Sequence, residues 1–474
     1  VPMIVLCLVQ FMLVLDDTVV NVALPSIRDE LGFSASGLPW VVNAYFLAFG
    51  GLLLLCGRMA DLLGRRRVFL IGVALFGVAS LACGLAQEPW QLVIGRFVQG
   101  AGSAMASPAA MSMITLLYPG PEERAKALGI WGGIAALGGT TGLVLSGALT
   151  SLVSWRGIFL INLPIVAVAL ALLPRLVPES RAPGRRRLDV PGAVLVTSAA
   201  VSLVYGLLRA GETGWSDPIA LGAVVLSAAL AVAFLVAQSR AAAPLVPRSF
   251  LASRTRAVAN GATLLFSMAM YAMSFLLMIQ IQTALGYSPL LAGIAYLPYG
   301  AGILAGMWLS SRISLRIGTR WALLLAFLVN IAGLLLLSGV AAGDSYAAHV
   351  LPGMLILSVG NGLSLPVMAV AAVDGTTEED AGLGSALFTS VQQIGGAVGV
   401  AALAIMGYSG GLTAGALCVA LGAVLIVVLL PSRASGPRRP AGHGADDRST
   451  PAAAPRPGSG PPVPMPGRGR RGPA

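Results

Sequence analysis

An all-α polytopic membrane protein is the fold class this sequence predicts. Of its 474 residues 57% are hydrophobic and only 10% are charged, the mean hydropathy is +0.85, and long apolar runs recur from one end to the other. Soluble domains carry about 25% charged residues. A bilayer core about 30 Å thick takes roughly 20 apolar residues per spanning helix. The alternating segments of about 10 residues that would build a transmembrane barrel are not found in the sequence.

Reading the apolar runs against charged residues, Gly and Pro gives fourteen spans. They fall near 3–25, 37–56, 67–86, 91–116, 127–150, 156–173, 190–209, 218–238, 257–282, 290–311, 321–340, 348–372, 382–406 and 412–430. The first run continues through Pro25 without a small-residue cleavage site, so it reads as a span and not as a cleavable leader. Val1 already lies in apolar sequence, which leaves room for a native segment upstream. Residues 431–474 are rich in Pro, Gly, Ala and Arg without apolar periodicity, and are expected to form a disordered basic cytoplasmic tail.

Basic residues orient the chain. With the N-terminus inside, the inner loops hold eighteen, from Arg58 and Arg65–Arg67 through Arg185–Arg187 to Arg320, and the tail holds eight more; the outer loops hold Arg28, Arg156 and Arg209. Both termini are therefore expected in the cytoplasm of a bacterial inner (cell) membrane. The net charge of +11 then reflects topology and contact with membrane lipid, not a nucleic-acid surface. Cys7, Cys56, Cys83 and Cys418 lie unpaired in apolar runs, and His349 and His443 lie in a loop and the tail, so neither disulfides nor a metal site are expected. No cofactor motif is present: Lys126, the only lysine, has no phosphate loop around it.

The chain has an internal echo. GRMADLLGRRR (57–67) follows the second span and SSRISLRIGTR (310–320) follows the tenth. This predicts two six-helix halves, 1–173 and 257–430, joined by a linker and two-helix insert over 174–256. Duplicated halves around a central site are a transporter layout.

Several stretches, in order, resemble one family. LDDTVVNVALP (15–25), GRMADLLGRRR, LVIGRFVQGAGSA (92–104) and WRGIFLINLPI (155–165) resemble motifs of the first helix, the loop after the second, the fourth helix and the sixth-helix start in the major facilitator superfamily. The branch is the fourteen-helix drug:proton antiporters of the EmrB/QacA type, and the likeness covers essentially all of 1–430. One motif departs: GLVLSG (142–147) has Leu143 where antiporters usually carry proline and Ser146 in place of a glycine.

An ionisable residue inside a span costs about 2.5–3.5 kcal/mol on insertion scales and usually faces a cavity or a partner. Asp16, Asp17 and Arg96 are the clearest cases. The resemblance places the family's acid at Asp16. Asp17 lies about 100° away around the helix, on a face shared with Asn21. Counting residues puts Asp16 about 13 Å and Arg96 about 9 Å below the same outer surface, so the two can meet. There, a neighbouring guanidinium and loss of water act on protonation in opposite senses. Two readings are open: a proton-binding switch with Gln99 and Ser103 extending the polar face, or a fixed bridge between helices. In the loop after the second span, Gly57, Asp61, Gly64, Arg65 and Arg66 read as a gate. The resemblance implies that Asp61 acts as a latch, pairing with a cytoplasmic helix end or an arginine when the inner gate is shut, while the arginines also set topology.

Candidate substrate-lining residues are Asn43, Tyr45, Gln99, Asn260, Gln280, Gln282, Asn361, Gln392 and Gln393, with methionines and aromatics of the ninth span alongside. With no further acid near the centre of a span, neutral or singly charged amphipathic small molecules are the expected substrates, and protons the coupled partner. The leading expectation is proton-coupled efflux of hydrophobic drugs, antibiotics or metabolites. A facilitator or importer of one metabolite on the same fold is the alternative, kept open by Leu143, and a non-transporting sensor the third. No nucleophile–base grouping points to an enzyme. Oligomeric state is not legible.

Overall fold

The computed structural model describes residues 2–181, 188–241, 243–376 and 378–430. Arg185–Arg187, the tail and the side chains of Glu378, Glu379 and Asp380 lie outside the described residues. Among them, fourteen long helices and no strand follow one another. These are α1 Pro2–Leu31, α2 Trp40–Leu63, α3 Arg65–Gly84, α4 Pro89–Leu117, α5 Pro121–Leu152, α6 Gly157–Leu176, α7 Val190–Thr213 and α8 Pro218–Arg240. The remaining six are α9 Arg254–Thr283, α10 Pro289–Ile317, α11 Thr319–Ser338, α12 Tyr346–Ala372, α13 Glu378–Ala404 and α14 Gly407–Leu429. Thirteen are long and apolar enough to cross a membrane. The other is α4, whose apolarity is lowered by Gln91, Arg96, Gln99 and three serines.

Hydropathy alone left three details unread. α6 is interrupted at Ile161 and α10 at Tyr296, and α12 opens with a π-helical turn, Tyr346–Val350. Helix starts follow local chemistry. Glu88 and Gln91 form a capping box at α4, while Asp189, Asp217 and Ser288 accept backbone N–H bonds at α7, α8 and α10. Pro lies in the first turn of each of these helices, where it removes no needed donor.

The sequence echo is also an echo of backbone. Gly64 and Gly318 both hold positive φ, +115° and +81°, a region open to glycine and closed to most side chains. Packing repeats as well. α1 lies on α5 as α9 lies on α13, and α2 and α3 lie on α4 as α10 and α11 lie on α12. Gly95 meets Cys83 and Gly102 meets Phe76 where α4 crosses α3. At the same spacing, Gly353 meets Leu337 and Gly360 meets Asn330 where α12 crosses α11. Small residues at such crossings let membrane helices approach closely. The fold is thus two six-helix halves, α1–α6 and α9–α14, plus the inserted pair α7–α8.

The halves meet along two seams. In one, α2 packs on α13, and α7 covers both, with Gly51 against Thr197 and Gly211 against Ile405; α8 packs behind α7. In the other, α5 packs on the first turns of α10. There Gly147 meets Pro289, Gly293 meets Leu143 and Gly300 meets Thr140. All of these α5–α10 contacts lie towards the arginine-poor end of the bundle. Towards the arginine-rich end, a Cβ added at Gly129 or Gly133 would meet nothing within 4 Å. The α5–α10 seam is closed at one end and parted at the other.

Candidate functional site

α1 carries Asp16 into the interior of the first half, where it is fully buried. From α4, Arg96 Nη1 donates to Asp16 Oδ2 at 2.5 Å, and neither side chain is exposed at all. Arg96 and Gln99 share a face of α4, three residues apart. Gln99 Nε2 donates to Asp16 Oδ1 (3.1 Å) and Ser80 Oγ (2.8 Å), and Gln99 Oε1 accepts from Arg96 Nη1 (3.0 Å). Asn162, next to the interruption of α6, donates from Nδ2 to Asp16 Oδ1 at 2.9 Å. Arg96 Nε donates to the Val41 carbonyl (3.0 Å), and its guanidinium lies 4.5 Å from the centre of the Tyr45 ring. The Tyr45 hydroxyl in turn donates to Ser103 Oγ at 2.9 Å. Both carboxylate oxygens of Asp16 are therefore occupied, as a buried charge requires.

Asp17 belongs elsewhere. It shares one face of α1 with Gln10 and Asn21, and its Oδ1 and Gln10 Oε1 are buried without hydrogen-bond partners. Asp17, about 100° around the helix from Asp16, thus lies off the hydrogen-bonded Arg96 network.

Between the halves lies a cavity of about 230 Å³, with α1 and α9 behind it and α5 and α10 in front. Thr18, Asn21, Thr140, Ser274, Tyr296 and Tyr299 supply its polar lining, and no charged residue lines it among the described residues. Among the sequence-derived lining residues, Asn361 touches it indirectly by donating to the Tyr299 hydroxyl at 2.8 Å. Gln282 bridges the halves by donating to the Val22 carbonyl (2.9 Å). Gln393 packs its Cβ against Gly50 in the α2–α13 seam, its Oε1 unpartnered, while Gln392 beside it is half-buried. Gln280 turns instead to the Val340 carbonyl (3.3 Å), Asn260 to that of Arg256 (2.9 Å), and Asn43 is buried with both amide atoms unpartnered. Gln99 and Tyr45 belong to the Asp16 network, not to the cavity.

In the loop between α2 and α3, Asp61 pairs with Arg65 one turn on, at 2.9 Å, and Gly57 lies against Pro108. Glu179, from the segment after α6, accepts the backbone N–H groups of Arg66 and Arg67, both at 3.1 Å. A carboxylate at the start of a helix caps free N–H groups and suits the macrodipole. Arg66 Nη1 donates to the Pro174 and Val177 carbonyls, both at 3.0 Å. Ser80, Asn162 and Glu179 were not singled out from the sequence. For Asn162 a signal existed, a lone amide within the apolar INLP stretch; for Ser80 there was none.

Duplicated membrane-helix halves, a seam parted at one end and a charged network buried inside one half define a membrane transporter, not an enzyme. The chain belongs to the Major Facilitator Superfamily, whose sequence profile matches residues 6–400. It is 39% identical over 414 residues to the lincomycin resistance protein of Streptomyces lincolnensis, covering 86% of this chain and 84% of the relative. It is 36% identical over 417 residues to the cephamycin export protein CmcT of Amycolatopsis lactamdurans, covering 85% and 84%. Among solved structures, a bacterial homolog of the human lysosomal transporter Spinster, inward-facing and unoccupied, superimposes with a TM-score of 0.63. That match is 16% identical and covers 92% of this chain and 98% of the other, a likeness of fold alone.

Proposed function

We propose that this protein is a proton-coupled exporter of amphipathic small molecules in a bacterial cell membrane, and that Asp16 is the group that takes up and releases the proton. The arginine-rich end faces the cytoplasm, so the parted seam opens inward. Residues 1–173 and 257–430 rock against each other around the cavity, 174–256 links them, and 431–474 is a cytoplasmic tail resting near anionic lipid. Arg96, Gln99 and Asn162 hold Asp16, and Asp61 with Arg65 and Arg66 gates the cytoplasmic side. The similarity to an antibiotic-resistance protein and an antibiotic export protein supports the direction of transport.

One observation carries the role of Asp16. The two halves cross their helices at matching glycines, which allows the second half to be read residue for residue. Gly138 and Gly142 meet the Phe11 and Leu15 carbonyls, as Gly395 and Gly399 meet those of Leu264 and Met268; Ala269 therefore stands where Asp16 stands. By the Gly95 and Gly353 contacts, Met354 stands for Arg96, Leu357 for Gln99 and Leu334 for Ser80. All four are buried and apolar. The same packing is achieved without a charge, so a fixed bridge is not what the architecture needs. A charged network retained at this desolvation penalty supports a chemical role.

The test is transport in proteoliposomes under an imposed pH gradient, with a panel of neutral and monocationic amphipathic antibiotics. Gradient-driven movement by the wild type and its loss in Asp16→Asn are expected. Equal gradient-driven movement by both would overturn the coupling role, and movement only down the compound's own gradient would favour a facilitator.

A further inference from the structure

The chain between α8 and α9 is held at its two ends by different halves of the molecule. The buried carboxylate of Asp189 caps α7 by accepting the Gly192 N–H at 2.9 Å. It also accepts from Gln238 Nε2, in the last turn of α8, and from the Leu245 N–H at 3.3 Å. Gln238 Oε1 accepts the Val246 N–H at 3.3 Å. From α2, Arg58 Nη1 donates to the Ala243 carbonyl at 2.8 Å, and Nη2 to the carbonyls of Pro244 and Leu245. Irregular backbone must find partners for its polar groups. Over 243–246, side chains of the first half and of the inserted pair supply them.

By Ser249 the partners have changed. Arg256, in the first turn of α9, donates from Nε to the Phe250 carbonyl at 2.7 Å and from Nη2 to that of Ser249 at 3.3 Å. Its Nη1 donates to the Asp374 carbonyl beyond α12 at 3.0 Å, and its guanidinium lies 4.7 Å from the centre of the Phe250 ring. Phe250 is buried, and a Cβ added at Gly384 of α13 would lie 3.2 Å from its Cζ. The Phe250 N–H bonds back to the Pro247 carbonyl at 2.9 Å, so the second half holds the chain from that carbonyl onward. Peptide bonds are planar and the proline ring fixes its own φ, here −58°. Only φ and ψ of Val246 and ψ of Pro247 are left to turn between the two fastenings.

From these contacts we infer that Arg58 and Asp189 fasten the α7–α8 pair to the first half, and that the connecting chain yields at Val246–Pro247 when the halves move. The pair then travels with α1–α6 and slides over α13. Hydrogen bonds to charged groups are the stronger kind, and among the described residues none joins α7 or α8 to α13. The contact there is Gly211 against Ile405, apolar and free to shear, while a few loop torsions suffice for a hinge. The inference rests on the rocking of the halves proposed above.

The test is double electron–electron resonance on the cysteine-free full chain in nanodiscs, in acid and in mildly alkaline buffer. Spin labels are placed in pairs at Val78 (α3), Val232 (α8), Arg248 and Leu421 (α14), all exposed. The Val78–Leu421 and Val232–Arg248 distances should change between conditions, while Val78–Val232 and Arg248–Leu421 stay fixed. Arg58→Ala combined with Asp189→Ala should let Val78–Val232 vary, and Arg256→Ala should not. In Asp189→Ala alone, hydrogen exchange at Leu245 should quicken about tenfold, as for one lost hydrogen bond to a charged group. A Val78–Val232 distance that varies with no other substitution present, or a fixed Val232–Arg248 distance beside a changing Val78–Leu421, would overturn the inference and leave rocking standing. A fixed Val78–Leu421 distance would refute the rocking and the joint together.

Discussion

Arg96 and Asp16 meet at 2.5 Å in a place where neither side chain touches solvent, and the other half of the molecule fills the corresponding place with Met354 and Ala269. Buried ion pairs contribute little net stability, yet removing one partner costs about 3–5 kcal/mol because the other charge is stranded. Arg96→Ala should therefore unfold at a clearly lower temperature in detergent. The triple variant Asp16→Ala, Arg96→Met, Gln99→Leu, which writes the second half's residues into the first, should recover stability to within about 1–2 kcal/mol of wild type or exceed it. It should remain inert in transport. A triple variant as unstable as Arg96→Ala would show that the network is structural.

A Cβ at Gly100 would sit 2.4 Å from the Tyr45 carbonyl oxygen, whereas one at Gly129 would meet nothing. Gly100→Ala should force α2 from α4 and destabilise by about 1–3 kcal/mol. Gly129→Ala should be neutral or stabilising by roughly 0.5–1 kcal/mol, since alanine is the better helix former. Thermal unfolding of the two variants side by side checks both signs.

Glu179 satisfies two amides at the start of α3. Glu179→Ala should weaken that first turn by about 1 kcal/mol, seen as faster hydrogen exchange at Arg66 and Arg67. Exchange in the middle of α3 should stay as in wild type.

Asp217, in the loop before α8, is held below the usual carboxylate range first by the Thr213 hydroxyl, then by the Ile219 N–H. A folded pKa below the unfolded one means the cap is fully stabilising above the unfolded value and is lost as pH falls through the folded value. Hydrogen exchange at Ile219, corrected for intrinsic rate, should lose protection only in acid. Asp217→Asn, which keeps a capping oxygen but does not titrate, should show no such step.

The helices were legible because an apolar run of spanning length has few other solutions in a bilayer. The meeting of Asp16 and Arg96 was legible because a helix rises a fixed 1.5 Å per residue, so depth can be counted. Gln99 joined the network and not the cavity because three residues on a helix return it to the Arg96 side, in keeping with its place on the polar face of the fourth span and against its place among the cavity candidates. Ser80 was not readable, and Asn162 only as a lone amide in an apolar stretch: which face of α3 and α6 looks towards α1 is decided by packing of distant segments, so neither residue names its partner. The interruptions at Ile161 and Tyr296 left hydropathy unchanged, so they were invisible to it. Which seam is covered depends on where α7 and α8 dock, a choice among several apolar faces that one sequence does not distinguish.

The most direct measurement is proton release from the detergent-purified protein in weakly buffered solution when the best-transported compound is added. The wild type and Asp17→Asn should release protons on ligand binding, and Asp16→Asn should release none while still binding the ligand. Release of equal size from Asp16→Asn would contradict the assignment.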